Sequence, residues 1–300
     1  MASTSSGPAA SKQVTPGSGG IPVLLKAALP SIPVINSLPG VKKASPKGFT
    51  GLGYSRPPVT AERAHVEAYA QVCGFPSKDT VPLTYPHMLA FPLHMAIMTD
   101  AAFPAPAIGT VHLENAITAH RAIGVGEQLG VTARVGPAQP HPKGTTYVFS
   151  TEVRDTEGAV VWESESTYLR RGRGDDDAPS GSVFPPVTPN GIVWKLPADL
   201  GRRYAAVSGD HNPIHLYPLT AKALGFPRQI AHGMWSKARV VAALENRLPD
   251  AVRVEVAFKK PIVLPGSVEL GTETTDDGFA FALSSPRSGA PHLVGATHAL

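Results

Sequence analysis

Residues 204–234 read YAAVSGDHNPIHLYPLTAKALGFPRQIAHGM, and this stretch decides how the rest of the chain is interpreted. Its Ser-Gly-Asp and Asn-Pro steps are turn-forming, so they predict a rigid, non-helical segment on which the side chains of Asp210 and His215 can converge. A carboxylate and an imidazole that grip one water molecule can together remove and supply a proton. Further on, Gly233 is predicted to begin a helix, where backbone N–H groups are free and the helix dipole favours negative charge. Because glycine has no side chain, a ligand could approach the backbone closely there.

The same stretch resembles the MaoC-like, (R)-specific enoyl-CoA hydratase family. That family has an aromatic residue, an apolar step, Ser-Gly-Asp, any residue, Asn-Pro, an aliphatic residue and histidine, with a small residue six positions further on. The matching residues are Tyr204, Val207, Ser208, Gly209, Asp210, Asn212, Pro213, Ile214, His215 and Ala221. The segments Gly225-Phe226, AHGM at 231–234 and FKKPIVLPG at 258–266 also fit the family.

The resemblance implies a hot-dog fold with two hot-dog units, and reversible syn addition of water across a 2-enoyl thioester. It implies that Asp210 and His215 are the acid/base pair and that Asn212 is a supporting polar residue. Gly233 would bind the thioester oxygen through its backbone N–H. The substrate would be an acyl-CoA or acyl-carrier-protein thioester, and this water chemistry needs neither a cofactor nor a metal.

A degenerate internal repeat indicates two halves of one architecture. Residues 69–74 (YAQVCG) match residues 204–209 (YAAVSG). Each half then has a helical stretch, which we predict to begin near Pro92 in the first half and at Gly233 in the second, where Pro249 ends it. Alternating apolar and polar runs broken by glycine and proline follow each helix, as expected of antiparallel strands. The predicted class is α+β, a double hot-dog: two antiparallel sheets, each wrapped round a long helix, joined into one continuous sheet as a pseudo-dimer.

The two halves differ where the chemistry is expected. Phe75 stands where the second half has Asp210, and no Asp-x-Asn-x-x-x-His segment follows it. Aligning the later strands puts Pro92, which has no backbone N–H, opposite Gly233. We therefore expect one active site per chain, with the first half serving as a partner surface and as a wall for the acyl tail.

Composition gives the domain boundaries. We expect a disordered tail and packing arm at 1–48, a non-catalytic hot-dog unit at 49–172, a linker at 173–190 and the catalytic unit at 191–300. The linker lies in RRGRGDDDAPSGSVFPPVTP, which is rich in glycine, proline and charge. An uninterrupted membrane helix in the apolar arm is excluded by its prolines, which are Pro22, Pro30, Pro33 and Pro39.

Charge and cysteine content exclude several classes of protein. The chain has 27 Lys and Arg against 23 Asp and Glu, scattered rather than clustered, and no basic run with interleaved aromatic residues suggests nucleic-acid binding. The mild excess is typical of a solvated surface, or attracts anionic carriers. Cys73 is the single cysteine, so no internal disulfide can form and a cytoplasmic location is expected. Two such chains could also pair as a homodimer.

Alternatives remain for the function and for several residues. A hot-dog thioesterase and a non-catalytic acyl-thioester-binding module compete with the hydratase, although the spacing of Asp210 and His215 favours hydration. A metal held by Asp210, His215 and Asn212 is disfavoured, since no third strong ligand is evident in the sequence. His211 is expected to point away from the site. Tyr217 and Trp235 are candidates either for the pocket wall or for core packing.

Overall fold

The computed structural model describes residues 12–13, 43–189 and 191–300. The predicted tail and arm at 1–48 therefore lie largely outside the described residues. The helices are α1 (Arg63–Cys73), α2 (Pro86–Thr99), α3 (Leu200–Ser208), α4 (Pro218–Ala223) and α5 (Gly233–Leu244), with 3-10 turns at Pro213–His215 and Glu245–Arg247. The strands are β1 (Lys12–Gln13), β2 (Leu52–Thr60), β3 (Thr110–Ala119), β4 (Gln128–Val135), β5 (Gln139–His141), β6 (Gly144–Arg154), β7 (Val160–Arg171), β8 (Ile192–Leu196), β9 (Val252–Phe258), β10 (Gly266–Thr274), β11 (Gly278–Ser284) and β12 (Pro291–Ala299).

All twelve strands of the described chain belong to one sheet. Their order is β1-β2-β4-β6-β7-β3-β9-β12-β11-β10-β8, with β5 attached to β6. The halves join where β3 pairs antiparallel with β9, from Glu114 opposite Ala257 to Ala119 opposite Val252. The single continuous sheet confirms the predicted joining of two hot-dog units. Its pairings are antiparallel except for the short contact of β1 with β2, which is parallel.

Each half wraps its part of the sheet around one buried helix. In α2, Leu93, His94 and Ile97 have no exposed surface, and in α5 the same is true of Val240 and Val241. A helix that is apolar on nearly every side is stable only when it is enclosed, because its surface would otherwise face water. None of the described helices is both long and apolar enough to cross a membrane.

The predicted start of the first central helix is wrong. The helix begins at Pro86, and Pro92 lies inside it. Pro86 suits the first helical position, because the N–H that proline lacks would have no partner within the helix there. Pro92 is therefore not the counterpart of Gly233, which does begin α5 as predicted. The helix α5 is shorter than predicted, since it ends at Leu244 and a single 3-10 turn follows.

The sequence repeat corresponds to a pair of helices, α1 and α3, which pack on each other. Gly74 ends α1 and Gly209 ends α3, both in the left-handed conformation, with φ values of 82° and 74°. Glycine is favoured at such helix ends because it has no Cβ to clash. The rings of Tyr69 and Tyr204 face each other at a centroid distance of 6.2 Å. These equivalent positions show that the matched residues occupy corresponding places in the two halves.

Four of the described strands were not anticipated by the sequence pattern, namely β1, which lies in the predicted disordered tail, β2, β5 and β8. β2 carries two prolines within LGYSRPPVT, and its pairing with β4 shifts register between Arg56 and Val59. β8 is a short edge strand that pairs with β10. Between β7 and β8 the described residues form neither helix nor strand.

A buried lysine links α5 to the junction between the halves. Lys237 has no exposed surface. Its ammonium donates to the Asn115 carbonyl (3.1 Å) and the Asn115 Oδ1 atom (2.6 Å) on β3, and to the Val254 carbonyl (2.9 Å) on β9. Three acceptors match the three N–H donors of an ammonium group. Burial lowers the pKa of Lys237 well below its usual range.

We expect Lys237→Met to destabilise the protein by about 1–3 kcal/mol, because it leaves buried oxygen atoms of β3 and β9 without a donor. Thermal unfolding followed by circular dichroism measures the effect, and Lys222→Met on the exposed surface of α4 is the matched control. An unfolding temperature equal to that of the control would show that this linkage contributes nothing to stability.

Candidate active site

The predicted acid lies in a turn that the sequence builds locally. After Gly209 ends α3, the Ser208 Oγ atom accepts a hydrogen bond from the Asp210 N–H (3.1 Å). The Oδ1 atom of Asp210 then accepts one from the Asn212 N–H (3.1 Å). Turns closed by a side-chain oxygen are typical of Asp and Ser. They hold Asp210 with 29% of its side chain exposed, at the wall of a large cavity.

The predicted partner, His215, ends a 3-10 turn that Asn212 begins by accepting a hydrogen bond from the Ile214 N–H (3.4 Å). The His215 Nδ1–H donates to the Ile230 carbonyl (2.8 Å). A carbonyl can only accept, so Nδ1 carries the proton and Nε2 is a free acceptor. Burial is the main cause that lowers the pKa of His215, which keeps the ring neutral. Asn212 thus closes this turn through its side chain.

Gly201 explains how the turn can lie so close to α3. A methyl group at this position would overlap the His215 carbonyl oxygen. Only glycine therefore lets the first turn of α3 pack directly against the segment that carries the imidazole.

A further polar residue at the site is His232. It belongs to the AHGM segment of the sequence, but we predicted no role for it. Its ring stacks on His215 with centroids 3.7 Å apart and planes at 26°. Its Nε2–H donates to the Asp210 backbone carbonyl (2.9 Å), so it ties the start of α5 to the turn that carries Asp210. Burial, and next the neighbouring His215, lower the pKa of His232 to about 3. The signal available in the sequence was its position directly before the predicted helix start.

His232 also corrects the expectation that no third metal ligand lies nearby. Ligand atoms of Asp210, His215 and His232 all lie within 4.8 Å of one another. The rings of His215 and His232 stack on each other with their planes at 26°. Nδ1 of His215 and Nε2 of His232 are also engaged with backbone carbonyls. The Asp210 carboxylate and the remaining nitrogen of each ring are acceptors, so together they can bind the hydrogen atoms of a water molecule.

Gly233 is the first residue of α5, directly after His232. The N–H groups of a first helical turn have no partner within the helix, and the dipole adds positive potential there. A Cβ atom at Gly233 would lie 3.1 Å from the Cε1 atom of Phe258, which is tighter than ordinary contact. The absence of a side chain therefore leaves the backbone open between the Phe258 ring and the cavity.

The cavity has a volume of 1530 Å³ and is lined by both halves. Typical small-molecule sites occupy roughly 300–1000 Å³, so this one has room for a long ligand. Its second-half wall contains Tyr204, Asp210, His215, His232, Gly233 and Phe258, and its first-half wall contains His87, Met88, Phe91, Met95, His112 and Tyr168. Basic residues lie in the same lining, namely Lys143, Arg171, Lys259 and Lys260.

The remaining predicted residues lie outside the reacting centre. His211 is exposed, and its Nδ1–H donates to the Gly209 carbonyl (3.0 Å). Tyr217 is neither a wall nor a core residue, because it is 53% exposed with the Arg202 guanidinium over its ring. Trp235 packs in the core, where its Nε1–H donates to the Val72 carbonyl (3.0 Å). Phe75, opposite Asp210 in the repeat, is buried against Tyr69.

Comparison with known proteins agrees with this geometry. A family profile described as a MaoC like domain matches residues 186–281. The 3-hydroxyacyl-thioester dehydratase X of Mycobacterium tuberculosis is 40% identical over 240 residues, which cover 79% of this chain and 85% of that protein.

Solved structures give the same result. The crystal structure of HtdX from M. tuberculosis has a TM-score of 0.74 and 38% identity, over 83% of this chain and all of that one. A MaoC-like dehydratase from Phytophthora capsici, at 20% identity, shares the fold with a TM-score of 0.69 over 84% of this chain and 96% of its own. The fold, the turn that carries Asp210 and His215, and the extent of the match to HtdX show that the chain belongs to the MaoC-like dehydratase family.

Proposed function

We propose that the protein catalyses the reversible hydration of 2-enoyl thioesters to (3R)-hydroxyacyl thioesters in fatty acid metabolism, as a hydro-lyase. The observation that carries the proposal is the pairing of the Asp210 carboxylate with a neutral His215 whose free Nε2 atom is an acceptor, at the wall of a long cavity. The name of the M. tuberculosis relative, a 3-hydroxyacyl-thioester dehydratase, supports the same reaction.

The two acceptors can hold one water molecule between them. Its two hydrogen atoms point to the Asp210 carboxylate and to the His215 Nε2 atom, which leaves an oxygen lone pair free for the β-carbon of the substrate. As the new C–O bond forms, Asp210 takes one proton, and the double-bond electrons move to the α-carbon. Asp210 then gives this proton to the α-carbon on the same face, which completes syn addition and restores the carboxylate. Dehydration runs through the same steps in reverse.

Negative charge accumulates on the thioester oxygen during this step. The Gly233 N–H, at the start of α5, would bind that oxygen, and the helix dipole would favour the charge. The requirement for a close approach explains glycine at this position, since a side chain would meet Phe258.

We propose that only the second half, residues 191–300, is catalytic. The first half, residues 49–172, has Phe75 in place of the acid and Pro86 at its helix start, where proline offers no N–H. Its contribution would be the apolar wall that receives the acyl tail. The residues between the halves, 173–190, would act as the linker.

The carrier and the setting of the reaction are further parts of the proposal. The basic residues of the cavity lining, such as Lys259 and Lys260, would attract the phosphates of coenzyme A or an acidic acyl-carrier protein. The single cysteine, Cys73, is buried and suits a reducing cytoplasm. A homodimer of two such chains also belongs to the proposal.

The function is tested by assaying the hydration of crotonyl-, octenoyl- and dodecenoyl-CoA. The loss of enoyl absorbance measures the rate, and chiral analysis identifies the product. We expect (3R)-hydroxyacyl-CoA. Release of free coenzyme A without hydration would instead identify a thioesterase, and binding without turnover would identify an acyl-binding module.

The catalytic pair gives a sharper test. Asp210→Asn keeps the shape but removes the base, and His215→Ala removes the group that orients the water. Each should reduce kcat by about 10²–10⁴-fold, the usual worth of a general acid or base. The double variant should be little worse than either single one, because groups that act as a unit are not additive. An Asp210→Asn enzyme that is folded by circular dichroism and keeps more than about a tenth of kcat would move the role elsewhere.

Two substitutions of Gly233 distinguish the contribution of its N–H group from that of the shape of the site. Gly233→Pro removes the N–H, and the extended backbone of His232 (φ −67°, ψ 139°) is compatible with a following proline. We expect kcat to fall about 10²–10³-fold. Gly233→Ala is the matched control, since it adds the same Cβ contact with Phe258 but keeps the N–H. Equal losses in both variants would assign the effect to Phe258 and not to the donor.

His232 is proposed as a positioning residue that holds the Asp210 backbone. His232→Phe keeps an aromatic ring against His215 but removes the hydrogen bond, so kcat should fall about 10-fold with little change in KM. His232→Gln can still donate from its side-chain amide and should retain more activity. Steady-state kinetics on both variants measure the split. Equal loss in the two variants, or a change confined to KM, would contradict the positioning role.

A further inference from the structure

Two imidazoles of the first half lie in the cavity wall with nitrogen atoms that no described group satisfies. His87, in the first turn of α2, is 2% exposed, and its Nδ1 atom is buried without a hydrogen-bond partner among the described residues. The Nε2 atom of His112 on β3 is also buried and without a partner there. Folded proteins rarely leave buried polar atoms unpaired, so both rings require an explanation.

The two rings lie next to the proposed thioester site. His112 is 5.0 Å from the Phe258 ring, centroid to centroid, and Phe258 is the residue that faces Gly233. On its other side His112 stacks on Tyr168 at 4.4 Å. His87 lies 6.4 Å from His112 with nearly parallel planes, close enough for one ligand oxygen to reach both rings.

Beyond the histidines the wall becomes apolar. His87, Phe91 and Met95 all line the cavity and are spaced four residues apart on α2, so they follow one face of the helix. Val111, beside His112 on β3, lines the same space. An acyl chain that leaves the reacting carbons along α2 would therefore pass the two imidazoles first and then the apolar side chains of Phe91 and Met95.

We propose that His87 and His112 form a polar subsite for a hydroxyl group on the acyl chain, a few carbons beyond the reacting double bond. This subsite rests on the proposed function, because it takes its position from the thioester site. A hydroxyl group can donate to one ring nitrogen and accept from another, which matches two neutral imidazoles. Burial lowers the pKa of both rings, that of His112 to about 3, so both are neutral under ordinary conditions.

The test compares trans-2-octenoyl-CoA with analogues that carry one hydroxyl group at C5, C6, C7 or C8. We expect one analogue to exceed the unsubstituted compound in kcat/KM by about 10-fold or more, because a site built to bind a hydroxyl group rejects the analogue that lacks it. Hydration of octenoyl-CoA with no preference for any analogue would overturn the subsite and leave the proposed function intact. Failure to hydrate any of the compounds would overturn both.

Variants identify the residues responsible. His87→Phe and His112→Phe keep a ring of similar size, remove the nitrogen atoms and should bring the preference ratio close to one. His120→Phe makes the same exchange of rings at an exposed position outside the cavity lining, so it is the matched control and should keep the ratio. If the phenylalanine variants weaken plain and hydroxylated substrates equally, the nitrogens serve the carrier arm and the proposal is wrong.

Thermal unfolding distinguishes a binding role of the imidazoles from a purely structural one. Since His87→Phe removes a buried nitrogen atom that has no partner, we expect its Tm to rise by about 2–4 °C. A marked fall in Tm together with an unchanged preference ratio would show that the imidazole only supports the fold.

Discussion

The ammonium group of Lys237 fixes the geometry on which the rest of the molecule depends. It binds oxygen atoms of β3 and β9 at once, so the second central helix is attached to both halves of the sheet at their junction. Gly233 begins the same helix one turn earlier, and His232 precedes it. The position of the proposed oxygen-binding N–H relative to the first-half wall is therefore set by a contact outside the cavity.

Burial decides the charge state of the site. His232 Nε2 lies 3.8 Å from an Asp210 carboxylate oxygen, which would be an ion pair if the ring were protonated. Its pKa of about 3 means that it is not, because desolvation and the stacked His215 both oppose a second charge. The carboxylate of Asp210 therefore lies beside two neutral rings and makes no ion pair with His232. Such a carboxylate polarises a water molecule without being neutralised by a salt bridge.

The sequence predicts those features that depend on neighbouring residues. The turn around Asp210 and His215 is closed by Ser208 and Asn212, a few positions away, so the motif alone indicated it. The start of α2 was misplaced because its N-cap residue, Tyr85, makes no side-chain cap and the helix is apolar on nearly every side. The roles of His232 and Lys237 depend on contacts with distant strands or stacked rings, which no local pattern contains.

The continuous sheet has a consequence for how such a protein can change over time. In a dimer of identical subunits, every substitution appears in both subunits. A change that reshapes the cavity wall in one subunit therefore also alters the active site of the other. Here both halves are covalently part of one chain, so Phe75 can occupy the position on one side that the proposed acid, Asp210, occupies on the other. Because the halves are joined, substitutions that reshape the substrate channel can accumulate in one half while the proposed catalytic residues are kept in the other.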